Sequence, residues 1–199
     1  MSNYWQDRQA ASQKKLSTKS TKAIEKQLRR YYGNSMKYIV NEFEKVYNQV
    51  LAQQEEGKQI TPALLYKLDS YWKLQGQLKD ELQKLGDKET VVLSKILEIN
   101  FFDVYYSINI EGLTAFTTID KEVVNQLINE IWVADGKSYS QRIWENIEIL
   151  TTTLNDELVA CVVTGKKPTE LKQKLQERFN VSYHRADALA RTEIAHVQT

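Results

Sequence analysis

The sequence predicts an all-α protein, an elongated helical bundle opened by a long N-terminal helix. Three observations carry that reading. Two prolines and seven glycines among 199 residues leave long uninterrupted stretches. Leu, Lys, Gln and Glu, all good helix formers, are abundant. Apolar residues return at steps of three and four, the period of one helix face.

The first such stripe runs Ile24, Leu28, Tyr31, Ser35, Ile39, Phe43, Val46, Val50, widened by Tyr32, Met36, Val40 and Tyr47, with Gly33 as a local weak point. It is not strict enough to require a free coiled coil. Residues 1 to 20 offer few apolar groups beyond Tyr4, Trp5 and Leu16, which fits a helical extension or a mobile arm. We therefore read residues 1–55 as a basic N-terminal helical arm and 56–199 as a helical domain. Gln53 to Gln59 form a polar break. Thr61 and Pro62 then supply a cap and a first helical residue, opening a second helix through Leu68, Tyr71, Leu78, Leu82 and Leu85 that Gly86 terminates. A short polar loop predicts antiparallel packing of the two.

Asp87 can cap a third segment, Val91 to Ile108, apolar on nearly every side and hence the most buried element. Its length favours helix, although its β-branched and aromatic content also suits a strand. Glu111 to Thr118, with Gly112, read as a loop. Asp120 caps a short helix with Val123, Val124, Leu127, Ile128, Ile131 and Trp132 inside, and Asp135-Gly136 marks a turn. A long helix from about Ser138 buries Ile143, Ile147, Leu150, Leu154, Leu158, Cys161 and Val162, and ends at Gly165. Pro168 opens a helix through Leu171, Leu175 and Phe179 that stops near Asn180; Val181 and Ser182 then introduce a last helix reaching Thr199 without a C-cap.

Charge is nearly balanced, 27 Lys+Arg against 26 Asp+Glu, which argues against a dedicated nucleic-acid coat protein. The distribution is uneven. From Arg8 to Lys37 the basic residues Arg8, Lys14, Lys15, Lys19, Lys22, Lys26, Arg29, Arg30 and Lys37 face the single acid Glu25. Lys14, Lys15, Lys19, Lys22, Lys26, Arg29 and Arg30 are thus candidates for contacting double-stranded DNA or a protein partner, with Tyr31 and Tyr32 as stacking groups. A secretory leader and a membrane-length apolar run are both missing, so a soluble protein without a membrane partner is expected.

Catalytic signals are weak. No glycine-rich loop leads to Lys-Ser/Thr, so nucleotide hydrolysis is not expected. His184 and His196 lie too far apart on one helix to share an ion, and no metal or other cofactor is expected. Cys161, the only cysteine, excludes a disulfide framework and reads as a small buried side chain in a reducing setting. The carboxylate pairs Glu42/Glu44, Glu55/Glu56, Glu145/Glu148 and Asp156/Glu157 read as solvated helix surface. One local arrangement is peculiar. In Arg191-Thr192-Glu193 the carboxylate falls near the face carrying Ala186, Leu189, Ala190 and Val197, which suggests close packing with a polar partner. Asp187 and Arg191 have the spacing of an i,i+4 ion pair.

The series Asp135-Gly136-Lys137-Ser138-Tyr139-Ser140-Gln141-Arg142-Ile143-Trp144, a long helix, Gly165, a leucine-spaced helix to Phe179-Asn180-Val181-Ser182, and then Arg185-Ala186 to Leu189-Ala190-Arg191-Thr192-Glu193 resembles the phage head-morphogenesis family. These are minor head (capsid) proteins similar to protein F of phage Mu, and the resemblance covers residues 130–199. It implies a non-enzymatic structural protein of the virion interior, present in the bacterial host cytoplasm during assembly. Such proteins bind the portal protein or inner capsid, assist head assembly and DNA packaging or ejection, and in some members touch DNA. It also implies a structural role for Arg191, Thr192 and Glu193. Members usually continue past this segment, so the chain is expected to be an N-terminal part.

Overall fold

A computed structural model of the chain describes residues 3–53, 69–111, 118–164 and 166–198. Among these the regular structure is entirely helical: α1 (Asn3–Gln53), α2 (Asp69–Glu111), α3 (Lys121–Ile128), α4 (Tyr139–Val163) and α5 (Pro168–Val197). The all-α expectation holds, and α1 is a continuous helix of 51 residues that passes through Gly33 without a break.

The helices pack as two compact units assembled from separated segments. Unit 1 comprises Met1–Leu28, Glu89–Ile143 and Ala186–Thr199; unit 2 comprises Arg29–Lys88 and Trp144–Arg185. Neither matches the division at residue 55. From Ile24 onward α1 buries its apolar stripe, because Ile24, Leu28, Ile39 and Phe43 gain far more from leaving water than a free arm would allow. The core of unit 1 gathers Ile24 and Leu28 with Leu93 and Leu97 of α2, Val124 and Ile128 of α3, and Ala190 and Ile194 of α5. That of unit 2 gathers Ile39, Phe43 and Val50 with Leu74, Leu78 and Leu82, Leu150, Leu154 and Leu158, and Leu175 and Phe179.

Two expected helix ends do not exist. Gly86 lies inside α2, which continues unbroken to Glu111. Its lack of a side chain serves packing: a Cβ there would stand 2.6 Å from Cζ3 of Trp144. Asp87 consequently caps nothing and sits exposed in mid-helix, accepting a long hydrogen bond from Gln83. Likewise α5 runs through Asn180, Val181 and Ser182 to Val197. Ser182 is no cap. It is buried, and its carbonyl accepts from Nδ2 of Asn146 at 3.0 Å. The Val91–Ile108 segment is helical, and it is less buried than its composition suggests: Val91 is 68% and Ile99 47% exposed, while Val92, Leu93, Ile96 and Leu97 form the inner face.

Other local readings hold. Asp120 caps α3, its carboxylate accepting from the Glu122 N–H at 2.9 Å. Of the residues expected inside that helix and its continuation, Val124 and Ile128 are buried, whereas Val123, Leu127, Ile131 and Trp132 remain between 41% and 51% exposed. Gly136 takes φ +69 in the turn, and Ser138 and Gln141 exchange hydrogen bonds as a capping box before α4. Pro168 is the first residue of α5. The polar break at residues 53–59, the Thr61-Pro62 cap, Gly112 and Gly165 fall on or beyond the edges of the described residues.

Candidate functional site

In unit 1, α5 presents Arg191, Thr192 and Glu193 in one turn, and all three are engaged. Arg191 donates from Nε to Oδ2 of Asp187 at 2.8 Å, the anticipated i,i+4 pair, and from Nη2 to Glu25 at 3.3 Å. The Thr192 hydroxyl bonds back to the Ala188 carbonyl at 3.0 Å. Glu193 is only 3% exposed, and its Oε2 accepts from the indole N–H of Trp132 at 3.1 Å. The buried, small Ala186 and Ala190 share its surroundings on α5, so the polar partner foreseen for this carboxylate is an indole.

Trp132 has a second contact. Its ring lies against His196, centroids 3.9 Å apart and planes within 13°, so one tryptophan joins two residues a helical turn apart. Sequence periodicity marks Trp132 as apolar filling and misses this role. The available signal was its N–H donor, which has to find an acceptor where a tryptophan meets a buried carboxylate. The arrangement fixes a chain segment in place.

The basic residues of α1 divide between the units. Lys14, Lys15, Lys19, Lys22 and Lys26 belong to unit 1, Arg29 and Arg30 to unit 2. All seven are exposed. Lys15, Lys19, Lys22 and Lys26 follow steps of four, three and four, which puts them on one helix face over about 16 Å. Among the described residues none of the five lysines forms an ion pair. In unit 2, Arg30 lies over the ring of Tyr31 at 5.2 Å and Arg29 over that of Tyr183 at 5.2 Å. Tyr32 is 3% exposed and therefore unable to stack on a base, contrary to its reading as a stacking group.

Glu157 also departs from its expected solvated setting. It is buried in unit 2, held by Arg178 through Nε and Nη2 at 3.0 and 2.6 Å and by Lys174 at 3.2 Å. Burial pushes its carboxyl up, and the hydrogen bonds from Arg178 and Lys174 outweigh that, holding it below the usual carboxylate range. Nearby Cys161 is buried, and burial followed by the charge of Glu157 pushes its thiol up, away from nucleophilic use. Among the described residues no three His, Cys, Asp or Glu side chains are placed to hold a metal ion, and no helix is long and apolar enough to cross a membrane. No family model, no curated protein and no solved structure matches the chain.

Proposed function

We propose that the protein is a non-enzymatic minor head protein of a tailed phage or prophage, acting in the virion interior after assembly in the bacterial cytoplasm. It binds the portal protein or inner capsid and assists head assembly and DNA packaging or ejection. The observation carrying this reading is the ordered series from Asp135-Gly136 to Ala190-Arg191-Thr192-Glu193. Its support in three dimensions is the engagement of Arg191, Thr192 and Glu193 with neighbouring side chains and backbone, as a scaffold motif requires. Co-expression with a portal protein of the same phage or prophage tests the reading directly. Co-purification with portal oligomers at high salt is the expected result, and heads that assemble and package normally without this chain would overturn it.

A second reading, double-stranded DNA binding, is favoured by the unpaired lysine face of α1. The full chain should then bind duplex DNA with a log–log salt slope of about −3 to −4, as four phosphate contacts imply. A salt-insensitive or absent interaction rejects it.

A further inference from the structure

Three helices meet at a polar junction inside unit 2. Asn146 of α4 donates from Nδ2 to the Tyr32 hydroxyl of α1 at 3.1 Å and to the Ser182 carbonyl of α5 at 3.0 Å. All three residues are buried, Asn146 being 7% and Ser182 3% exposed. The amide can face only one way. A carbonyl accepts and never donates, so the nitrogen of Asn146 has to be the atom turned toward Ser182.

That orientation leaves two buried oxygens over. Among the described residues, neither Oδ1 of Asn146 nor Oγ of Ser182 has a hydrogen-bond partner. Two other asparagines use the same atom fully: Oδ1 of Asn100 accepts from Gln198 at 2.7 Å, and that of Asn155 accepts from Tyr71 and Gln75 at 3.0 and 2.8 Å. Ser182 differs from the other helical hydroxyls as well. Thr151, Thr152 and Thr153 of α4 and Thr192 of α5 each bond back to the carbonyl four residues earlier, the usual arrangement in mid-helix. Ser35, also buried, donates to Glu81 at 2.6 Å. The Ser182 hydroxyl does neither.

A buried amide oxygen and a buried hydroxyl each cost free energy when unpaired. Here they are complementary, since one needs a donor and the other has a proton to give. They belong to residues already in contact, yet they do not bond each other. Water is the smallest group that serves both, accepting with a lone pair and donating with a hydrogen. Neither residue lines the open grooves of unit 2, one between α1 and α5 and one between α2 and α4, so the pair is closed to larger molecules.

We infer that unit 2 binds one internal water between Ser182 and Asn146, which accepts from the Ser182 hydroxyl and donates to Oδ1 of Asn146, completing the junction of α1, α4 and α5. A crystal structure of the full chain should show a water peak within about 3.2 Å of both oxygens. A Ser182 hydroxyl bonded to the Arg178 carbonyl or directly to Asn146, without that peak, overturns the proposal. In solution, magnetic relaxation dispersion of the water oxygen counts long-lived internal waters. Ser182→Val, whose methyl groups take the place of the hydroxyl and of the water, should hold one fewer than wild type, and an equal count overturns the proposal. Ser182→Ala is the gentler probe. Alanine is the better helix former, so removing a hydroxyl that has no role would stabilise the protein. Loss of a bridged, buried hydrogen bond should instead raise the unfolding equilibrium constant about fivefold in chemical denaturation. An alanine variant at least as stable as wild type shows that nothing depends on the hydroxyl, and the proposal falls.

Discussion

Of the three buried glutamates among the described residues, Glu157 in unit 2 and Glu193 in unit 1 are kept in opposite electrostatic settings. Glu157 in unit 2 faces the guanidinium of Arg178 and the ammonium of Lys174. Glu193 in unit 1 faces the neutral indole of Trp132, and among the described residues no cation pairs with it. The first pattern repays desolvation with opposite charge. The second relies on a single hydrogen bond and a fitted shape, a costlier solution that tolerates fewer substitutions. A carboxylate held this way fixes one geometry for the Trp132 segment against α5 within unit 1.

Trp132→Phe should therefore produce the largest loss, about 2 kcal/mol, since it keeps the ring facing His196 but strips Glu193 of its donor. Chemical denaturation measures it, and Glu193→Gln in the same background should recover part of the loss by removing the stranded charge. A Trp132→Phe protein as stable as wild type would show that water replaces the indole N–H.

Glu157→Gln should cost less, about 1 kcal/mol, because Arg178 and Lys174 are half-exposed and return to water when released. Its pH signature distinguishes it. A carboxyl held below its ordinary value, about 4.3 for a free glutamate, stabilises the fold fully above that value. The contribution disappears as pH falls through the lowered one. Wild type should thus show a steeper acid limb than Glu157→Gln in melts between neutral and acidic pH, and identical limbs would break the contrast with Glu193.

Gly86→Ala tests packing instead of charge in unit 2. Helix propensity gains what glycine lost, but the added methyl meets the Trp144 ring, for a net destabilisation of about 1 kcal/mol. Pairing it with Trp144→Leu should turn the effect neutral or favourable, and additive losses would place the cause elsewhere. Smallest in stability is Lys22→Ala with Lys26→Ala on the exposed face of α1, within about 0.5 kcal/mol of wild type. On the DNA-binding reading, the same pair reduces the salt slope by about 2.

Helix periodicity made the all-α class and most of the buried stripes legible, from Ile24–Val50 to Ile143–Cys161 and Leu171–Phe179. Helix ends were read less well, and for one reason. Gly86 and the Asn180-Val181-Ser182 stretch have the chemistry of punctuation, yet tertiary contacts with Trp144 and Asn146 give those residues another use. Sequence carries no trace of which side chain lies opposite a glycine. The same limit hid the partner of Glu193. Its neighbours on α5 announced a polar contact, but Trp132 stands 61 positions away and looked like one more apolar residue. The exposed lysines of α1 were fully legible, because solvent-facing charge needs no partner to be recognised.

The interleaved make-up of the two units bears on how a ribosome can deliver this protein. Unit 1 is completed by Ala186–Thr199, and unit 2 by Trp144–Arg185. The ties that close them join distant residues: Tyr32 to Asn146 across 114 positions, Glu25 to Arg191 across 166. During synthesis α2 can cover part of the apolar face of α1 early, as the Ser35–Glu81 hydrogen bond across 46 positions shows, but the rest stays uncovered until α4 and α5 have emerged, a long exposure for contacts so non-local. Early termination anywhere before α5 would leave both units unfinished, so a shortened product would be a substrate for chaperones and proteases rather than a smaller working protein.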